Sequence, residues 1–526
     1  MVLRKYLPVI GMSAIGKALL LGSGAMLVAL AVLWYGNILP LGMSDFLFLF
    51  VLVTLAATYR PGWAFLLLVS VLPIEIVNLA PDSLHIGIRP YQLLVLSIFV
   101  AIGMRFIARR AIPEIPKPNF GDFLLFLIPV GSLFAIVNAS DPGRSFRLSV
   151  ILFSYFALYA LFRIFVRTAE DVGRILPFVI ASLLLTSVVA VVQNVAFLSG
   201  NGFFEIMPGR PNGLFPEPDW LGLFLISAVS VFSAIGYFIA SRTVSYPELF
   251  RMKRAVFVSL SLVMIVTALI LTVSRSAWLG AAIVACAAAL LAVFTRRFRV
   301  AGMLMILFGF GSLFAFALVE LVPLSDFDLS GRAGSIGSGL QTITVSCEQE
   351  TALPEHIVSV DELAVYGCRH IDLDEIETER AAGRFVSTID RNDPNVSIRR
   401  QIYQKSIALG MTHALLGVGW GTVGDTLGHD ERGAGLNASD VFLEVWLGSG
   451  AIGLVGLIGF LLLLAIRAVR DFFRSRGTFP FFLLVSFAGV IVSDLFNSGI
   501  MLAFVWALLG IAGSYLFHES DYTETL

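Results

Sequence analysis

The chain has 526 residues, 57% hydrophobic and 14% charged, with 44 Phe and a formal net charge of -1. A soluble domain is about 45–50% apolar and about 25% charged, so composition excludes an ordinary soluble protein, and the charge balance gives no support to a nucleic-acid partner. The expected fold class is an all-α polytopic membrane protein with about 12–14 transmembrane helices and the lipid bilayer as its surroundings.

Apolar runs long enough for a hydrocarbon core recur along nearly the whole chain. They predict fourteen spans, at approximately 18–35, 44–58, 63–80, 90–104, 122–138, 148–166, 175–198, 219–240, 256–273, 276–294, 300–322, 441–466, 479–495 and 499–517. The first lacks a small-residue cleavage site after it and reads as a retained helix rather than a signal peptide. No internal repeat is visible, and the two halves differ, which counts against an inverted-repeat transporter. Two runs read either as interrupted helices or as helix ends with an acid at headgroup level, "LPIEIVNLAP" around Glu75 and "VSDLFNSG" around Asp494.

Orientation follows from Lys and Arg. With the N-terminal Arg4, Lys5 and Lys17 placed in the cytoplasm, the even-numbered loops hold most of the remaining cations, among them Arg105, Arg109, Arg110, Arg296, Arg297 and Arg299. The short odd-numbered loops hold only Arg89, Arg144, Arg147, Arg210 and Arg275. One missed helix would invert every later loop, so the bias supports the count. It puts both termini in the cytoplasm and one large loop, residues 323–440, on the external face of the membrane.

Within that loop, "GRAGSIGSGLQTIT" (331–344) reads as irregular. "DELAVYG" and "IDLDEIETERAAGRFVSTI" read as short amphipathic helices, the second with Ile371, Leu373, Ile376 and Phe385 on one face. "SIRRQIYQKSIALGMTHALLGVG" predicts a further helix with Ile402, Ile407, Ala408 and Met411 on its apolar side, ending at Gly417, with Gly419 and Gly421 opening a flexible turn. Cys347 and Cys368 lie in the loop, whereas Cys286 sits in a span. In an oxidising compartment the two form either a disulfide, worth roughly 3 kcal/mol, or a pair of buried thiols. His370, Asp372, Asp374 and Glu375 read as a solvated acidic face, since alternating acids on a helix do not converge as metal ligands must. No metal and no cofactor is expected.

Four polar features fall on the outward side. In "GRPNGLFPEPDWLG", Arg210 precedes a Gly- and Pro-rich turn and Asp219 follows Pro218 at a helix start, where it serves either as a cap or as a ligand group. In "TVSRSAWLG", Arg275 occupies a turn between two nearly continuous spans. A guanidinium fixed there is suited to a phosphate or diphosphate, or else it snorkels to lipid headgroups. Arg399 and Arg400 are adjacent cations that either bind an anion or pair with loop acids such as Asp390 and Asp393. In "LNASDVFLEVWLG", Asn437, Ser439 and Asp440 can cap a helix, and Glu444 lies one turn along on Asp440's face. A carboxylate in a partly dry site acquires a raised pKa and can act as a general base near neutral pH. Cations beside one or two carboxylates suit transfer from an anionic lipid, with the arginines on the leaving diphosphate and a carboxylate taking the acceptor's proton. A transporter or flippase of lipid-linked glycans is the alternative class.

"GRPNGLFPEPDWLG", "LTVSRSAWLG", "RRQIYQKSIALGMTHALLGVGWG" and "SDVFLEVWLGSGAIGLVGLIGFLLLL" stand in the order and spacing of the O-antigen ligase and O-antigen polymerase family, which this chain resembles over about residues 205–467. The flanking 1–204 and 468–526 match only in hydrophobicity. The resemblance implies a metal-independent, inverting glycosyltransferase. It would move a glycan from an undecaprenyl-diphosphate carrier to an acceptor hydroxyl, as in lipopolysaccharide ligation or surface-polysaccharide polymerisation. Its partners would be a polyprenyl-diphosphate-linked donor and a glycan or lipid-glycan acceptor. The resemblance maps Arg210, Arg275 and Arg399, with Arg400 as neighbour, onto the family's diphosphate- or sugar-contacting arginines. Two departures stand out. Pro218-Asp219 replaces Pro-Asn, and Ser439-Asp440 replaces the ligases' His-Asn, which removes the usual base and leaves Asp440, with Glu444, as the catalytic candidate.

Overall fold

The computed structural model describes residues 14–84, 86–200, 207, 209–241, 248–320, 329, 340–371, 375–392, 394–428 and 436–517. Residues 331–339 of the Gly/Ser-rich stretch, Leu373 and the acids Asp372, Asp374 and Asp393 lie outside them.

The protein is an all-α polytopic membrane protein. Its helices are α1 (Ala14–Tyr35), α2 (Met43–Tyr59), α3 (Pro61–Val71), α4 (Pro90–Ile107), α5 (Phe120–Ala135), α6 (Pro142–Phe165), α7 (Ala169–Leu198), α8 (Pro218–Ser241), α9 (Glu248–Leu271), α10 (Arg275–Phe294) and α11 (Phe298–Glu320). After the long connection come α12 (Ile376–Ala381), α13 (Pro394–Thr412), α14 (Val423–Leu427), α15 (Val441–Ser475), α16 (Thr478–Asp494) and α17 (Ala503–Phe517). Among the described residues ten helices are long and apolar enough to cross a bilayer, and four apolar ones are shorter, including α3 and α16. Each predicted span finds a helix, but the third does so only in part. Its helix stops at Val71, just before Pro73, whose ring lacks an N–H for the ladder. The Glu75 segment that follows is non-helical, and Glu75 is buried in protein at 1% exposure.

Small residues let the helices meet. Gly222 of α8 lies so close to α10 that a Cβ there would stand 2.5 Å from the Ala277 Cβ. A Cβ on Gly280 of α10 would stand 2.8 Å from the Gly489 carbonyl oxygen of α16. A Cβ on Gly131 of α5 would come within 3.2 Å of the Gly453 nitrogen of α15. Between membrane helices, where lipid and side chain are equally apolar, such backbone approach supplies the packing.

Helix α15 is broken. Gly450 has φ 67° and ψ −173°, which separates 441–449 from 451–475. A break frees carbonyl and amide groups that are costly unpaired inside a membrane protein, and residues 414–419 take them up. The Leu447 carbonyl accepts from the Val418 and Gly419 amides at 2.7 and 3.2 Å, and the Ala451 amide donates to the Ala414 carbonyl at 2.9 Å. Trp446 Nε1 donates to the same Ala414 oxygen at 3.1 Å, and Trp420 Nε1 donates to Ser449 Oγ at 2.9 Å. Asn138 then secures the inserted segment by donating to the Gly417 carbonyl at 2.9 Å. The Gly417–Gly421 stretch is thus tied to α15 and to Asn138 by hydrogen bonds. Gly417 has φ 74°, and a Cβ there would stand 2.9 Å from the Gly450 nitrogen, so a glycine is required on both counts.

The preceding helix also differs from expectation. α13 ends at Thr412, and its inner side carries Ile402, Ser406 and Gly410, with Gly410 set against the Trp446 ring, while Ile407 and Met411 are exposed. Seating Gly410 on the indole turns the helix and carries Ile407 and Met411 to the outside.

The long connection contains a four-stranded sheet among the described residues, of order β2-β4-β1-β3, from β1 (Leu340–Cys347), β2 (His356–Ile357), β3 (Cys368–His370) and β4 (Phe385–Asn392). This corrects two expectations. The supposedly irregular 340–344 is strand, with Ile343, Val345 and Cys347 turned inward at period two. The supposed second helix shrinks to α12, and after Gly383, with φ 78°, the β-branched run from Val386 pairs with β1. "DELAVYG" forms a 3-10 helix, Val360–Tyr366, opened by a Ser359 and Glu362 capping box. Cys347 and Cys368 face each other across β1 and β3 and are joined by a disulfide. Alkylation of the denatured, unreduced protein should therefore label one of the three cysteines, Cys286, and all three after reduction. Mass spectrometry counts the adducts, and three adducts before reduction would contradict the pairing.

Candidate functional site

The loop before α8 sets the first part of the site. Asn212 Nδ2 donates to the Phe215 carbonyl at 2.7 Å, and the Gly213 amide donates to Gln193 Oε1 at 2.7 Å, which fastens the turn to α7. Out of this turn Arg210 spreads its fork. Its Nε donates to the Thr272 carbonyl at 3.2 Å, and its Nη2 pairs with Asp219 Oδ1 at 3.2 Å. Asp219 lies in the first turn of α8 and has the guanidinium as its partner. The contact of Gly222 with Ala277 brings the start of α8 beside the start of α10, where Ser274 caps the helix and Arg275 is its first residue, partly buried.

The second part comes from α13. Tyr403 donates to the Leu495 carbonyl at 3.1 Å, and the Arg399 guanidinium lies 5.7 Å from the centre of the Phe496 ring, so α13 rests across the chain that leaves α16. Burial raises the Tyr403 pKa, with Arg399 opposing and Asp440 adding to the shift, which places all three groups in one neighbourhood. Arg400 is exposed, and the Asp390 offered as its alternative partner accepts from Thr342 Oγ1 at 2.7 Å within the sheet.

The third part is the mouth of α15. Asp440 is its N-cap, and Oδ1 accepts from both the Phe442 and Leu443 amides at 2.9 Å. Ser439 before it sits at φ 49°, and its amide and hydroxyl both donate to Asn437 Oδ1. Both cap bonds fall on Oδ1, so Oδ2 is not used by the cap. Partial burial pushes the Asp440 carboxyl up, against the downward pull of the two amide bonds. The folded state thus holds this proton to higher pH than the unfolded chain, and above that pH the ionised group lowers stability rather than raising it. A group kept at such a cost is a functional candidate.

Glu444 lies a turn below, within electrostatic range of Asp440 and Glu217 and beside Ser498. Asp494, at the end of α16 and 4% exposed, is in range of both Glu444 and Asp440, and its Oδ1 accepts from the Gly499 amide at 2.9 Å. Glu217 is pushed up by burial and by Asp219, with Arg210 opposing. The structure thus joins Arg210 with Asp219, sets Tyr403 between Arg399 and Asp440, sets Glu444 near Asp440, and adds two acids, Glu217 and Asp494. Glu217 had a signal in the paired acids of "PEPD", but Asp494 could be placed only by knowing that α16 ends beside α15. Among the described residues no three His, Cys, Asp or Glu side chains are grouped to hold a metal ion. The arrangement offers cations for an anionic group and carboxylates for proton transfer or for accepting hydroxyl protons.

Residues 260–458 match the family model described as O-Antigen ligase. Over these residues the chain is similar to the O-antigen ligase family. No curated protein and no solved structure matches it. The O-antigen ligase segment includes Arg275, Arg399, Arg400, Asp440 and Glu444, whereas Arg210, Glu217, Asp219 and Asp494 are brought to it from outside by helix packing.

Asp440 can be tested as a cap apart from any chemistry. Asn caps as well as Asp, so Asp440→Asn should leave the thermal midpoint of the detergent-solubilised protein unchanged or slightly raised. Asp440→Ala should cost about 1 kcal/mol and lower it. Equal midpoints for the Ala variant and the parent would contradict the cap.

Proposed function

We propose that this protein is a membrane glycosyltransferase that moves a glycan from an undecaprenyl-diphosphate carrier to an acceptor hydroxyl, as a ligase or surface-polysaccharide polymerase of the O-antigen ligase type. The site would face outward from a bacterial inner membrane, with both termini cytoplasmic, and the transfer would be inverting and metal-independent. The observation that carries the reading is the meeting of Arg399, Tyr403 and Asp440 at the mouth of a broken helix inside the family-matched segment.

In this reading the arginines, Arg210, Arg275 and Arg399 with Arg400 at the rim, stabilise the charge that grows on the diphosphate as the bond from the anomeric carbon to the phosphate oxygen breaks. Asp440 Oδ2 takes the proton from the acceptor hydroxyl as its oxygen attacks the opposite face of that carbon. The products are the elongated or ligated glycan, polyprenyl diphosphate and a protonated Asp440. No nucleotide enters, because the activated lipid bond supplies the driving force. Glu444 would hold sugar hydroxyls or accept the proton onward. A carboxylate fits where ligases carry His-Asn, because burial has moved its proton affinity toward the range in which a base works near neutral pH.

Purified protein given a polyprenyl-diphosphate oligosaccharide and candidate acceptors should release free lipid diphosphate. Its absence, with translocation of the intact donor in vesicles, would favour a flippase instead. Asp440→Asn should reduce release by about 100-fold or more, with the protein folded as the parent is. The parent's rate should be retained above the raised Asp440 pKa and lost as pH falls through it, at a midpoint above the ordinary value of about 4. A rate insensitive to both changes would remove Asp440 from the base role.

A further inference from the structure

Residues 72–89, between α3 and α4, lie far in sequence from the family-matched segment, yet they touch two of the loops that carry the site. The Glu75 and Ile76 amides donate to the Leu214 carbonyl at 2.9 and 3.0 Å, in the turn between Arg210 and Glu217. Glu75 Oε1 accepts from the Ala503 amide at 2.8 Å, and so caps the start of α17 from 428 residues away. Glu75 Oε2 accepts from the Tyr91 hydroxyl at 2.9 Å and pairs with Arg89 Nη1 at 3.0 Å. Arg89 Nε returns to the Glu75 carbonyl at 2.9 Å. Arg89 Nη1 also donates to the Tyr155 hydroxyl at 3.0 Å, and Tyr155 donates to the Met501 carbonyl. Asn78 closes the segment on itself by accepting from the Ile88 amide at 2.9 Å. The ends of the 495–502 connection are thus fixed by Asp494 on one side, through Gly499, and by Glu75 and Tyr155 on the other.

A buried ion pair is a poor way to gain stability, because apolar groups of the same shape would bury without losing hydration. Here it gives direction instead. Each carboxylate oxygen meets a different donor, from a different element, and the guanidinium orients the acid that makes those bonds. The connection so held carries Ser498, which lies beside Glu444. We infer that Glu75, oriented by Arg89, is a positioning residue that holds the 495–502 connection, with Asp494 and Ser498, against the Asp440–Glu444 mouth of α15. Its catalytic consequence rests on the transfer reading above.

Two measurements test this separately. In a Cys286→Ala background, Ser498→Cys places a thiol in the connection, and Ser132→Cys places one in α5, both at buried positions. Each is treated with a maleimide in the full-length detergent-solubilised protein. The paired change Glu75→Leu with Arg89→Leu removes both charges together, and Glu75→Gln is run beside it because it keeps the side chain's size. Local release of the connection should speed labelling at 498 by about tenfold or more, as expected of sub-global opening, and leave 132 unchanged. With native Ser498, the same variants should lose about tenfold or more of lipid-diphosphate release at saturating donor, while half-saturation stays within a few-fold, as for misplaced catalytic groups. Unchanged labelling at 498, equal acceleration at both thiols, or faster labelling at 498 with undiminished release would each overturn the proposal. If even the parent releases no lipid diphosphate, the transfer reading fails instead, and the labelling still decides whether Glu75 holds the connection.

Discussion

A helix that breaks within a membrane protein must find partners for the backbone groups it frees, and α15 finds them in residues 414–419. The Leu447 carbonyl and the Ala451 amide on the two sides of Gly450 are both satisfied from that segment. Much else depends on this exchange. It fixes where the chain from the long connection re-enters, and it seats Gly410 on Trp446. With α13 held there, Arg399 and Tyr403 come to the end of α16 and the neighbourhood of Asp440. The cost of unpaired backbone in an apolar setting is several kcal/mol for each group, which makes the alternative arrangements expensive.

The site is composite in the same sense. The O-antigen ligase match covers α10 and α11, the sheet, α13 and the first part of α15. Arg210 and Asp219 reach it because Gly222 lets α8 lie against Ala277, and Asp494 reaches it because Gly280 and Gly489 let α10 and α16 touch. The N-terminal helices contribute through Glu75, whose bonds run to residues 214 and 503. What unites these groups is close backbone approach, which depends on small residues that carry no chemistry of their own.

Much of the architecture was legible from the chain. Long apolar runs mark helices because nothing else pairs its own backbone in hydrocarbon, and the fourteen predicted spans coincide with helices, with α3 cut short by the irregular segment after it. The small sheet was harder to see. Its strands are short, half-polar and paired across long sequence separations, as β1 with β4, and local patterning cannot report a partner some forty residues away. Which side of α13 turns inward is hidden from the sequence for a related reason. Ile407 and Met411 are the more hydrophobic candidates, but the fit of a glycine to an indole set the rotation instead.

The site divides along the same line. The sequence by itself determined the kinds of group available, namely arginines and acids beside helix starts, and the order of motifs that resembles the O-antigen ligase family. It also supplied the cap at Asp440, because capping is a local event settled within three residues. Only the tertiary structure decided that Glu217 and Asp494 join Asp440 and Glu444, that Arg210 bridges Thr272 and Asp219, and that a buried Glu75 pairs with a half-buried Arg89. Those meetings depend on helix rotation and on a few tenths of an ångström of backbone clearance, quantities that arise from packing many elements at once and leave no trace in the residues on either side.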